Sequence, residues 1–154
     1  MIKTAPSTSP PPPGYATTTA TAPADNTCKE NTLSRSRRSA RQAGSRFERE
    51  VADYLAEHVD GRIDRRVKGG AKDKGDIGGL RHLNQKVAIE CKNTSRINLG
   101  TWMTEAHTAM GNDDAGVAVV IHKRHGKGQP GDQWVTMTVD DLIALITGQP
   151  RSLP

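Results

Sequence analysis

The chain has 154 residues and a formal net charge of +5, with an apolar content of only 34%. That length suits one domain, and no run is apolar enough to span a membrane or serve as a secretory signal. Two cysteines, Cys28 and Cys91, exclude a disulfide framework or a cysteine zinc cluster, so a cytoplasmic protein is expected.

Residues 1–33 are mostly Thr, Ala, Pro and Ser, with Pro10 to Pro13 in a row. Such a stretch cannot bury enough surface to offset its ordering entropy, so a disordered tail is expected over 1–40. It ends in a basic arm, Arg35-Ser36-Arg37-Arg38-Ser39-Ala40-Arg41. The arm can attract phosphates or simply solubilise the chain. A folded domain is expected over 41–148 and a short tail over 149–154.

The pattern predicts a helix at 45–59, then strands near 62–67, 75–80 and 86–92. A helix near 100–111, strands near 116–122 and 133–138, and a helix at 139–147 follow. On the first helix Phe47, Val51, Tyr54, Leu55 and Val59 share an arc, and Glu48 falls at about 100° from Phe47, inside it. Arg49, Glu50, Asp53 and Glu57 fall outside. Either Glu48 closes a capping box with Ser45, or it is aimed at a site. Val117 to Ile121 is apolar throughout, as in a strand covered on both faces. Thr138 and Asp141 predict a capping box on the last helix, with Leu142, Ile143, Leu145 and Ile146 as its buried side. The order αβββαββα is that of a small α/β domain.

The chemistry concentrates at Gly75-Asp76-Ile77 and Val87-Ala88-Ile89-Glu90-Cys91-Lys92. In a strand Glu90 and Lys92 share a face while Cys91 turns away. Two carboxylates that converge on a divalent cation, beside an ammonium group, can hydrolyse phosphodiesters. The bland alternative is a strand emerging into solvent with a weak surface ion pair.

Gly44-Ser45-Arg46-Phe47-Glu48-Arg49-Glu50, Gly75-Asp76-Ile77 and Ile89-Glu90-Cys91-Lys92 together resemble the archaeal-type Holliday junction resolvases. These are nucleases of the PD-(D/E)xK superfamily, and similar enzymes are bacteriophage-encoded. The resemblance implies a restriction endonuclease-like core of order αβββαβ, a central mixed sheet flanked by helices. It implies that Glu48 is the helix acid, Asp76 and Glu90 the metal-binding pair and Lys92 the catalytic lysine. Mg²⁺, or Mn²⁺ in its place, would be held by Asp76, Glu90 and the Cys91 carbonyl, with Glu48 approaching from the helix. Whether Lys92 also takes a proton depends on its pKa. Gly75 stands where the superfamily's name has Pro.

The implied partners are four-way or branched DNA and a second subunit in a homodimer. Arg65, Arg66, Lys68, Lys72, Lys74, Lys123, Arg124 and Lys127 flank the site and can grip phosphates or be solvated loop residues. Scarce aromatics, 3% of the chain, argue against base stacking. A mismatch or restriction-type nuclease would use the same residues, and a catalytically silent DNA-binding module would keep the fold and the basic loops. His122 and His125 read as a solvated basic turn, His107 as a surface imidazole, and Trp102 and Trp134 as core or interface residues.

Overall fold

A computed structural model describes residues 36–150. Of the tail expected over 1–40, residues 1–35, with Cys28 and Arg35, lie outside the described residues, as do 151–154; residues 37–40 are not tail but helix. The elements are α1 (Arg37–His58), β1 (Asp64–Arg65), β2 (Ile77–Gly78), β3 (Arg81–His82), β4 (Gln85–Lys92), α2 (Leu99–Asp113), β5 (Val117–His122), β6 (Trp134–Thr136) and α3 (Val139–Thr147). Short 3-10 turns lie at Gly70–Lys72 and Pro130–Asp132.

The sheet is mixed. Its order is β1-β2-β4-β5-β6, with β3 paired to β4, and only β4 and β5 run parallel. Val87, Ile89 and Cys91 of β4 join Val117, Val119 and Ile121 of β5 under Phe47, Val51 and Ala52 of α1. On the other face Ala88, Ala118 and Val120 meet Trp102, Met103, Ala106 and Met110 of α2. All six residues of β5 are buried, as its apolar run predicts. Small side chains at Ala88, Ala106 and Ala118 let α2 approach the sheet closely.

Several expectations need correction. Helix α1 begins at Arg37, eight residues early. Ser36 caps it by accepting the Ser39 N–H at 3.2 Å, and a run of Arg, Ala and Gln prolongs it by propensity without burial. Ser45 is therefore mid-helix and closes no capping box. The strands expected at 62–67 and 75–80 shrink to two residues each. Gly79, at φ +89°, bends the second beside the Arg62 carbonyl and separates β2 from β3. Leu83 and Asn84, both at positive φ, then form the two-residue turn of the β3–β4 hairpin.

The capping box on α3 forms as expected, but of the four residues expected on its buried side only Leu145 packs against the core. Asp141 and Ala144 are buried, while Leu142, Ile143 and Ile146 are exposed. Asp141 accepts the Ala118 N–H at 3.2 Å and pairs with His107 Nε2 at 2.8 Å. It thereby satisfies the β5 backbone just below the stretch that β6 pairs. His107 is thus a packing partner between α2 and α3, not a free surface imidazole. His122, also expected in a solvated turn, is buried at the end of β5, against Trp102 and 3.0 Å from Thr136 Oγ1. Trp102 lies in the core and Trp134 is half exposed. No helix among the described residues is long and apolar enough to cross a membrane.

Candidate active site

Three elements supply the acids: α1 carries Glu48, the turn into β2 carries Asp76, and β4 carries Glu90. Gly75 sets the position of Asp76. It adopts φ +88°, and a Cβ there would lie 2.7 Å from the Ile89 carbonyl oxygen. This close approach lets the Asp76 N–H donate to that oxygen at 2.9 Å. Proline is excluded, since its ring fixes φ near −65°.

Asp76 is 7% exposed, and its Oδ2 accepts the Cys91 N–H at 2.9 Å. The N–H and C=O of one strand residue point to the same side, so the Cys91 carbonyl is directed toward the edge where Asp76 stands. Burial first, and then the negative field of Glu90, push the Asp76 pKa up to about 6; Glu48 adds to the rise, while the Cys91 N–H and Lys68 oppose it. Asp76 is therefore a buried acid within the field of carboxylates from two other elements.

Glu90 and Lys92 point to the α2 side of β4, as the strand period predicts, with Lys92 Nζ 2.9 Å from Glu90 Oε1. Lys92 also donates to Glu105 Oε2 on α2 at 2.5 Å. Burial pulls the Lys92 pKa down, but the bonds to Glu105 and Glu90 outweigh it and hold it above the ordinary lysine value. Lys92 is a cation at neutral pH. Burial, with Asp76 next, pushes the Cys91 thiol up, so it is not a nucleophile.

Glu48 is buried, as the helical arc requires, and its partner is Arg65, whose Nε donates to Oε2 at 2.7 Å. Arg65 also reaches Ser45 Oγ at 3.3 Å. It therefore neutralises the helix acid and is not a free phosphate ligand. Arg66 is likewise committed, 2.8 Å from the buried Asp113, with Lys74 and Lys86 at 3.8 and 3.9 Å. Lys68, Lys72 and Lys127 are exposed and in no ion pair among the described residues. Lys123 lies over the Phe47 ring and Arg124 over Trp134.

Asp113 and Glu105 carry no signal in the sequence. Each acts on residues far away in the chain and in a different layer. Arg66→Ala, which leaves Asp113 only its two longer pairs, is expected to lower stability by about 1–3 kcal/mol, read by urea unfolding.

The donors at this site are hard oxygens, suited in kind to Mg²⁺ or Mn²⁺, and the excess negative charge around Asp76 is what a cation would relieve. As they stand, Glu48 is turned to Arg65 and Glu90 to Lys92. Among the described residues no three His, Cys, Asp or Glu side chains are gathered as ligands. Beside Glu90 lies an open cleft of about 300 Å³, lined also by Gly70, Asp73, Glu105 and Thr108. No protein-family model, curated protein or solved structure matches the chain.

Proposed function

We propose that the chain is a divalent-cation-dependent endodeoxyribonuclease with a restriction endonuclease-like core, cutting branched DNA as a Holliday junction resolvase. The observation that carries this reading is Asp76. It is a buried acid raised to about pKa 6, in the field of Glu90 and Glu48, with the Glu90–Lys92 pair on the neighbouring strand. Arg65 and Lys92 already answer Glu48 and Glu90, whereas Asp76 is in no ion pair among the described residues; a buried carboxylate so placed is costly to ionise, and such sites concentrate function. The mixed sheet between helices agrees with the implied order, β3 being an added two-residue strand.

Asp76, Glu90 and the Cys91 carbonyl would hold the cation, with Glu48 behind them once Arg65 gives way. When bound, the ion supplies an acidified water and a polarised phosphate. The chain's own residues do the rest. The Cys91 N–H orients the Asp76 carboxylate. Lys92, kept protonated by Glu90 and Glu105, offsets negative charge growing on the phosphate and orients the attacking water, and does not act as the base. Lys68, Lys72 and Lys127, in no ion pair among the described residues, are the cations best able to meet phosphates.

The test is cleavage by the full chain with Mg²⁺ on a synthetic four-way junction, a linear duplex and a single strand, side by side. Preferential cutting of the junction supports the reading. Preference for linear duplex would contradict the resolvase assignment, and intact substrates throughout would contradict nuclease action. Lys92→Met is expected to slow cleavage by about 10²–10³-fold or more while junction binding and circular dichroism stay near wild type. Cleavage at an undiminished rate would remove Lys92 from the chemistry.

A further inference from the structure

Lys92, His122 and Trp134 occupy one register row of the sheet, since Lys92 pairs with His122 and His122 with Trp134. Residues paired directly across strands project to the same face, so Trp134 stands on the α2 side with Glu90 and Lys92. Two strand spacings, roughly 10 Å, separate it from Lys92. Trp134 is 50% exposed, whereas Trp102 of α2, the other tryptophan, is buried. Over the Trp134 ring, at 4.5 Å, lies the Arg124 guanidinium.

This pair is held in place from both sides. The Lys123 N–H donates to the Lys92 carbonyl at 2.9 Å, and His125 Nε2 lies 3.1 Å from the Thr94 carbonyl. Gln133 accepts the Arg124 N–H at 2.9 Å and donates to the Gln129 carbonyl. The loop bearing Arg124 is thus bonded to the end of β4 and to the residue before Trp134. A half-exposed indole under a guanidinium, on a loop that also carries Lys127, is a flat π-surface set beside cations. A nucleobase on its phosphate chain complements both features. An apolar protein surface would strip water from the cations and return nothing for it.

We propose that Trp134 and Arg124 form a stacking subsite for a single nucleobase freed from its neighbour at a branch point, and so select branched over linear DNA. Inside a linear duplex each base has a neighbour on both sides and offers no face to the indole. Where that stacking is interrupted a face is open, and an aromatic ring can take it. Scarce aromatics exclude a platform of several rings, not a subsite for one base. The 10 Å spacing equals about three base steps at roughly 3.4 Å each, so a phosphate beside Lys92 lies within a few nucleotides of the stacked base. The inference rests on the nuclease reading for the identity of its ligand, but its test needs no cleavage.

A labelled four-way junction and a linear duplex of matching sequence are titrated with the full chain in EDTA, with binding read by fluorescence anisotropy. Wild type is expected to prefer the junction. Trp134→Ala is expected to lose about tenfold or more in junction affinity while duplex affinity stays within about twofold. Trp134→Phe, which keeps a ring, is expected to retain most of the preference. The junction should also quench wild-type tryptophan emission more than the duplex does, a difference absent in Trp134→Phe, where only Trp102 emits. A wild type without junction preference would overturn the proposal, as would folded Trp134→Ala that keeps the preference or loses both DNAs equally. Should that variant unfold, equal quenching of wild type by the two bound DNAs would overturn it. Junction binding that depends on Trp134, without cleavage in Mg²⁺, would support the subsite and contradict the nuclease reading; cleavage with binding indifferent to Trp134 would do the reverse.

Discussion

Asp76→Asn is expected to abolish cleavage and at the same time to make the metal-free protein more stable at pH 7, by about 1–3 kcal/mol. Most substitutions at buried polar positions destabilise, so the sign is diagnostic. The folded acid keeps its proton up to about pH 6, whereas its ordinary value is 3.8. Between those values the folded state binds the extra proton, so stability is fully present below about pH 4 and is lost as pH rises through about 6. Two units correspond to a loss of up to about 3 kcal/mol. Asparagine has nearly the same shape, still accepts the Cys91 N–H and carries no charge beside Glu90 and Glu48. Urea unfolding at pH 4, 5, 6 and 7 reads the effect. Wild type should weaken across the series and Asp76→Asn should not share that part of the slope. Equal slopes, or a variant weaker than wild type at pH 7, would remove the charge argument for the site.

Gly75→Ala is expected to cost about 2–4 kcal/mol. The alanine must adopt φ +88° and seat its Cβ 2.7 Å from the Ile89 carbonyl oxygen, a backbone atom that cannot swing aside. Relief comes only by moving Asp76 away from β4, which breaks the 2.9 Å bond from its N–H to Ile89. Cleavage should therefore fall even at temperatures where the variant is fully folded. A midpoint within experimental error of wild type in urea would mean that the turn relaxes freely, and that Asp76 is not held as described.

Much of the fold and part of the site were legible in the sequence because they are local. Alternation on β4 places Glu90 and Lys92 on one side and Cys91 on the other, and the helical arc buries Glu48. The unbroken apolar run of β5 requires cover on both faces. What stayed hidden depends on distant partners. The helix start at Arg37 leaves no burial pattern, since its first turns touch little. Arg65, Arg66 and Lys74 look like free cations until Glu48 and Asp113 are brought beside them. Glu105 reaches Lys92 only because α2 crosses over β4. The apolar side of α3 was read as core because periodicity reports which side is apolar and not what covers it.

Calorimetric titration of Mn²⁺ into the full chain, compared with Asp76→Asn, tests the central claim most directly. Wild type should bind, and near pH 6 should release protons as the ion displaces the one on Asp76, seen as a dependence of the heat on buffer; the variant should lose binding at least tenfold. Equal affinity in the two proteins, or no binding to wild type at millimolar ion, would contradict the assignment of Asp76 to a cation site.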